Sequence, residues 1–253
     1  MVVLELKNVS IEFGGLKAVQ NINLEVHKGQ ICGLIGPNGA GKTTTFNVLT
    51  GVYQPTKGEI LLSGHNIVGE NPIQINHRGI ARTFQNIRLF KDLSVIDNVK
   101  VAMNRQMSYS VFSGIFHTLS YWKEEKKIND AAYEYLDILG LTDYAHQFAK
   151  NLPYGQQRKL EIARALATRP RALLLDEPAA GMNPTETMDL METIRDIRKK
   201  YGLSILLIEH DMAFVMQICE HIYVLDYGKV IACGSPDEIK NDKKVIEAYL
   251  GGE

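Results

Sequence analysis

The octet Gly36-Pro37-Asn38-Gly39-Ala40-Gly41-Lys42-Thr43 has the spacing G-x-x-x-x-G-K-T, and each fixed residue has a task if the ligand is a polyphosphate. Glycine lets consecutive backbone N–H groups curl inward and approach phosphate oxygens without side-chain clash. The helix start that follows adds unpaired N–H groups and the positive end of a dipole. Lys42 then reaches the β- and γ-phosphates, Thr43 ligates Mg²⁺, and Thr44 is placed for a nearer phosphate. The octet implies a bound nucleoside triphosphate.

Other stretches supply acids, a base and a second anion site. Leu173-Leu174-Leu175-Asp176-Glu177 ends an apolar run in two carboxylates, at the strand end where ligands bind in open α/β sheets. Asp176 can hold Mg²⁺ through water, and Glu177, one residue on, can face the water that attacks the γ-phosphate. Ile208-Glu209-His210-Asp211 repeats the logic on the next apolar run. A lone histidine is usually a surface or satisfied core group, but His210 follows a core strand at the same edge, where it can bond the γ-phosphate. Gln85 also ends a strand and can approach Mg²⁺ or the water. In Asn151-Leu152-Pro153-Tyr154-Gly155-Gln156-Gln157-Arg158, a Pro-Tyr-Gly break runs into a helix through Ala167. That gives a second helix N-terminus beside a glycine. One chain carries one triphosphate loop, so a second phosphate-facing helix suggests a nucleotide shared between two chains.

The elements that must hold these groups are legible in outline. Residues 30–35 form a short apolar run that reads as a buried strand before the loop, and residues 42–50 read as the first turns of a helix. Residues 172–175 and 204–208 read as continuous apolar strands covered on both faces. Residues 71–79 read as a short helix, 79–84 as a strand ending at Gln85, and 182–201 as a helix with Pro184 near its start. Residues 222–232 read as an edge hairpin turning at Tyr227-Gly228, and 236–250 as two short helices. Residues 2–6, 22–26 and 59–62 are short and β-prone and read as an antiparallel layer. Between the first two lies Phe13-Gly14-Gly15. There an aromatic can stack on a base, although chemistry alone favours a core role for Phe13.

Residues 86–160 change character and read as a mostly helical insertion. Ser94 with Asp97 resembles an N-cap and its acidic N3 partner, opening an amphipathic run to Met103. Residues 109–122 are rich in aromatics, read as a hydrophobic link between helices or a surface for a partner or membrane. Residues 123–139 return to helical spacing, closed by Gly140.

Composition excludes some classes. A formal charge of −1 over 253 residues gives no electrostatic footprint for nucleic acid. Cys32, Cys219 and Cys233 are few, odd in number and without metal spacing, which fits a reducing cytoplasm. The N-terminus lacks a signal-peptide pattern, and no apolar run approaches the ~18 residues of a membrane span. The expected protein is soluble, or peripheral through partners.

The constellation resembles the nucleotide-binding subunit of an ATP-binding-cassette (ABC) transporter over essentially the whole chain. The resemblance implies a Walker A motif at 36–43, a Q-loop at Gln85, a signature motif at 152–156 and a Walker B strand ending at Asp176 with Glu177 as base. It also implies a D-loop at Ala180-Gly181-Met182-Asn183 and a switch histidine at His210. By position Phe13 takes the adenine-stacking role, with Val19 beside the nucleotide. The implied fold is α/β: a P-loop NTPase (RecA-like) core with an antiparallel β subdomain and an inserted α-helical subdomain. Residues 1–253 would form one ABC ATPase domain, with 1–85 and 161–253 as core and 86–160 as the helical part.

Within the family the chain is most similar to LivG-type ATPases of branched-chain amino-acid importers. Phe13-Gly14-Gly15-Leu16-Lys17-Ala18-Val19, the run from Arg82 to Phe90, Tyr154-Gly155-Gln156-Gln157-Arg158 and Ile208-Glu209-His210-Asp211-Met212 carry that likeness. It implies ATP and Mg²⁺ as ligands, two transmembrane permease subunits, and a second ABC ATPase, self or paralogue, closing head-to-tail. A substrate-binding protein would act indirectly, no nucleic acid would bind, and the site of action would be the cytoplasmic face of the inner membrane. Pro153, Tyr154, Gly155 and Gln156 would then face the partner's ATP. Two departures stand out. Pro153 and Tyr154 replace the family's serine and first glycine, removing a hydroxyl from the γ-phosphate and leaving Gly155 N–H and the helix end to do more. Asn183 stands where aspartate is usual. The rivals are an ABC ATPase of a lipid or lipopolysaccharide exporter and a non-transport ABC ATPase. For the latter, the stretch between Gln85 and Pro153 is too short for the long coiled coils of chromosome-type members, and translation-type members carry two cassettes. A GTP-binding switch would need a guanine-reading motif.

Overall fold

The computed structural model describes residues 1–103 and 119–250. Most of the aromatic-rich stretch 109–122 therefore lies outside the described residues. The elements run β1 (Val2–Phe13), β2 (Leu16–His27), β3 (Ile31–Ile35), α1 (Lys42–Leu49), β4 (Lys57–Leu62), β5 (His65–Asn66), α2 (Pro72–Arg78) and β6 (Ile80–Arg82). Next come α3 (Val95–Ala102), α4 (Leu119–Ile138) and α5 (Tyr154–Ala167). Then follow β7 (Ala172–Asp176), α6 (Pro184–Tyr201), β8 (Ser204–Ile208), α7 (Met212–Ile218), β9 (His221–Asp226), β10 (Lys229–Gly234), α8 (Pro236–Asn241) and α9 (Lys243–Leu250). The chain forms two compact units, Met1–Gln85 with Pro170–Glu253, and Asn86–Arg169. The second unit runs to Arg169 rather than 160, because α5 is a single unbroken helix and cannot be divided between the two.

The first unit carries two sheets. One is antiparallel, in the order β2-β1-β4-β5; the other has the order β10-β9-β3-β8-β7-β6, parallel except for the edge strand β10. In the parallel sheet Leu34 pairs with Ile208, and Ile208 with Asp176, so the C-terminal ends of β3, β8 and β7 lie side by side. Leu173, Leu174 and Leu175 are fully buried, each contributing about 1.5–3 kcal/mol to holding Asp176 at that edge.

The antiparallel layer differs from the sequence reading. β1 and β2 are 12-residue strands joined by Gly14-Gly15, where the sequence suggested short strands and a longer connection. The hairpin is interrupted by register shifts, and Asn8 and Asn21 adopt positive φ. Bulges of this kind break the two-residue alternation by which strands are recognised.

Local signals held elsewhere. Asn71 and Gln74 form a capping box on α2, and Gly79 closes that helix in the left-handed region. In the second unit, α3 packs on both α4 and α5. Ser94 Oγ accepts from Asp97 N, capping α3. Asn98, fully buried, donates to the Phe90 and Ser94 carbonyls and accepts from Phe90 N, tying the preceding loop to α3.

Candidate active site

The loop between β3 and α1 turns through Gly36, Gly39 and Gly41, at φ 148°, 79° and 103°. A Cβ at Gly36 would lie 2.0 Å from the Leu225 carbonyl oxygen, so only glycine lets β9 back the loop this closely. The β9–β10 turn adds a bond from Gly228 N to Ala40 O at 2.9 Å. Tyr227 and Gly228 both have positive φ, as a two-residue hairpin of type I′ requires.

The loop closes around Lys42. Its ammonium donates to Gly36 O at 2.6 Å and Pro37 O at 2.9 Å, and the residue is 8% exposed. Burial pushes the ammonium below the usual lysine range, opposed by the Glu177 carboxylate. Thr43 is exposed beside it. A cleft of about 670 Å³ is lined by Asn38–Thr44 in sequence, by Glu177 and, toward the hairpin, by Phe13, Ala18 and Gln20. Phe13 stands at the hairpin tip, partly exposed, with Tyr53 edge-on at 5.1 Å.

Val19 does not line this cleft. It is fully buried in the core, while its neighbours Ala18 and Gln20 line the wall. Alternate residues of a strand face opposite sides, which sets Val19 behind the cleft.

At the strand ends the acids find specific partners. Gln85 Nε2 donates to Glu177 Oε2 at 2.7 Å. Glu177 has φ 47° and donates its N–H to Ile208 O at 2.9 Å, so the turn after Asp176 is pinned to β8. His210 Nδ1 lies 3.8 Å from Glu177 Oε1, with its ring largely exposed. Asp176, 4% exposed, bonds through Oδ2 to Arg82 Nη2 at 2.6 Å. Thus Lys42, Thr43, Gln85, Asp176, Glu177 and His210 come from three strand ends and one helix start of the same unit.

Sequence reasoning passed over two buried charged groups here. In the sequence Arg82 stands out only within the family likeness, and Glu209 only as the neighbour of His210. Glu209 is 1% exposed; it accepts from Ala179 N at 2.8 Å and His210 N at 3.3 Å. Burial raises its carboxyl above the usual range, and those N–H groups oppose the rise. It therefore ties the turn after Glu177 to the end of β8. The available signal was a charged residue within or directly after an apolar strand, since such residues are almost never fully buried unless paired. Replacing Glu209 by Ala leaves the Ala179 N–H unpaired in the interior and is expected to cost about 1–3 kcal/mol of stability. Urea unfolding followed by circular dichroism measures this; an unchanged midpoint would exclude the tie.

The remaining sequence-predicted groups fall as follows. Asn183 caps α6, in a capping box with Glu186 at 3.0 Å in both directions. Its amide thus replaces the usual aspartate with no loss of the cap. In the second unit, Pro153 is the N-cap residue of α5, and Gln157 Nε2 donates to Leu152 O at 2.9 Å. Gly155 is buried, Tyr154 partly exposed against Arg158, and Gln156 Oε1 is buried without a hydrogen-bond partner.

The residues fit ATP and Mg²⁺. At Gly36 and Gly41 an added Cβ would meet backbone at 2.0 and 2.8 Å, so the loop takes no side chain there, and one ammonium stands within it. Among the described residues no group of three or more His, Cys, Asp or Glu is gathered as a metal cage. Mg²⁺ needs none, since it is usually held by one or two protein ligands together with substrate phosphates.

Comparison with known proteins points the same way. Residues 19–180 match the family model "ABC transporter", and residues 229–253 the model "Branched-chain amino acid ATP-binding cassette transporter". The chain is 47% identical over 249 residues to the high-affinity branched-chain amino acid transport ATP-binding protein BraF of Pseudomonas aeruginosa. It is 48% identical to LivG of Escherichia coli K12, with 98% of each chain covered in both cases. Among solved structures, the ADP conformation of MJ1267, an ATP-binding cassette of an ABC transporter, matches with a TM-score of 0.86. Identity there is 32%, over 100% of both chains.

Proposed function

We propose that this chain, which belongs to the ABC transporter family, is the ATP-hydrolysing subunit of an importer for branched-chain amino acids. It is an ATPase that uses ATP with Mg²⁺. The observation carrying the substrate class is the likeness to branched-chain amino acid transport ATP-binding proteins over 98% of the chain, joined by the match at residues 229–253.

In this reading Lys42 and the loop N–H groups take the β- and γ-phosphates, and Thr43 and Asp176 hold the cation. When bound, Mg²⁺ offsets the charge on the phosphate oxygens. Glu177 orients the attacking water and receives its proton. Gln85, bonded to Glu177 Oε2, sets the direction of that carboxylate, and His210 stands on its other oxygen, ready for the γ-phosphate. Phe13, steadied by Tyr53, offers the adenine a face. Two such subunits, identical or paralogous, close head-to-tail, and residues 152–156 of each meet the ATP of the other. Two permease subunits and an external substrate-binding protein complete the importer. Among the described residues no helix is long and apolar enough to cross a membrane. In this reading the subunit sits at the cytoplasmic face of the membrane, held there by its permease partners.

Affinity purification from native membranes with mass spectrometry tests the assembly. Two different polytopic proteins and a second cassette ATPase are expected. Two copies of one membrane protein with this ATPase alone would redirect the assignment to an exporter.

A further inference from the structure

One buried side chain joins three segments of the proposed cation site. The Arg82 side chain is 7% exposed, and its guanidinium carbon lies 5.5 Å from the Phe46 ring centre and 5.2 Å from that of Phe84. Nη2 donates to Asp176 Oδ2 at 2.6 Å and Nη1 to Asn47 Oδ1 at 2.7 Å. Phe46 and Asn47 lie on α1, the helix that begins with Lys42 and Thr43. Arg82 and Phe84 lead into Gln85, and Asp176 ends β7. A planar guanidinium presents donors in a fixed fork, so one group can bond acceptors on two elements at once; an ammonium is a point charge on a flexible stem.

We infer that Arg82 is a positioning residue for the cation site: it holds Asp176 by Oδ2 at a set distance from α1 and leaves the other carboxylate oxygen to the Mg²⁺-bound water. In this role Arg82 acts through Asp176 rather than on the nucleotide or the metal itself. The inference rests on the assignment of Asp176 above.

Two effects of Arg82 oppose each other. Its positive charge repels a nearby cation, whereas its hydrogen bonds orient the carboxylate. Orientation prevails, because the terminal torsion of an aspartate is broad and roughly two-fold. The charge acts only across the carboxylate and its water. Partners that orient metal-binding groups are worth about 10–100-fold in metal affinity.

The test measures ATP affinity of the full chain by fluorescence titration, once with Mg²⁺ and once with EDTA, and reads the ratio of the two. Arg82→Met is expected to lower the Mg²⁺ enhancement about 10-fold with metal-free ATP affinity unchanged. Arg82→Lys recovers little, and Asn47→Ala falls between Arg82→Met and wild type. Combined with Asp176→Asn, Arg82→Met adds no further loss. A merely structural role would weaken ATP with and without the metal alike. An unchanged or larger enhancement in Arg82→Met, or losses that add to those of Asp176→Asn, overturns the inference. Should Arg82→Met fail to fold, wild-type enhancement in both Arg82→Lys and Asn47→Ala overturns it equally. Wild-type enhancement in Asp176→Asn alone would instead remove the assignment of Asp176, and the inference with it.

Discussion

Glu177→Gln lowers ATP turnover by ~10²–10⁴-fold, the usual contribution of a positioned general base. That is about 3–5 kcal/mol of barrier. ATP binding is retained, because Glu177 is not among the groups that wrap phosphate. The geometry makes this a clean substitution. Gln85 Nε2 donates to Glu177 Oε2, and a glutamine at 177 still offers an oxygen to that donor. The backbone turn, held by Glu177 N on Ile208 O, is untouched. What disappears is the capacity to take a proton. Single-turnover hydrolysis alongside equilibrium ATP binding checks this, and near-normal hydrolysis would remove Glu177 from the role of base.

The second large effect falls on binding. Lys42→Met keeps most of the stem volume and removes the ammonium. Hydrogen bonds to charged groups are worth about 1.5–3 kcal/mol each. Losing two of them to phosphate weakens ATP binding by ~10²–10⁴-fold. The fold is expected to survive, since methionine fills the space of the lysine stem and the Pro37 carbonyl that Lys42 now engages is only partly buried and can turn to water, although the buried Gly36 carbonyl loses its donor. Isothermal titration with ATP and Mg²⁺ measures the change. Wild-type affinity would show that the lysine does not reach the phosphates. The two variants separate the site into halves: Glu177→Gln binds ATP normally but turns over slowly, and Lys42→Met binds it weakly.

Much of this site was written in short stretches of sequence. The octet 36–43, the acids 176 and 177 and the helix caps at Asn71 and Ser94 are governed by backbone geometry within a few residues. Glycine at positive φ, a side-chain oxygen accepting from N3 and an apolar run ending in charge each leave a local mark. Those marks established a phosphate-binding α/β protein, placed its acids at strand ends and set a helical stretch after Gln85.

Tertiary structure decided the partnerships. Gln85 and Glu177 meet because β6 and β7 run parallel in register. That same pairing sets Arg82, whose backbone pairs with Leu174, against Asp176 two residues further along β7. Glu209 binds Ala179 N because β8 lies beside β7, and Val19 falls behind the cleft because of the face its strand position selects. No local pattern encodes these contacts. They depend on which strands become neighbours and in what register, and that is set by burying the whole sheet at once.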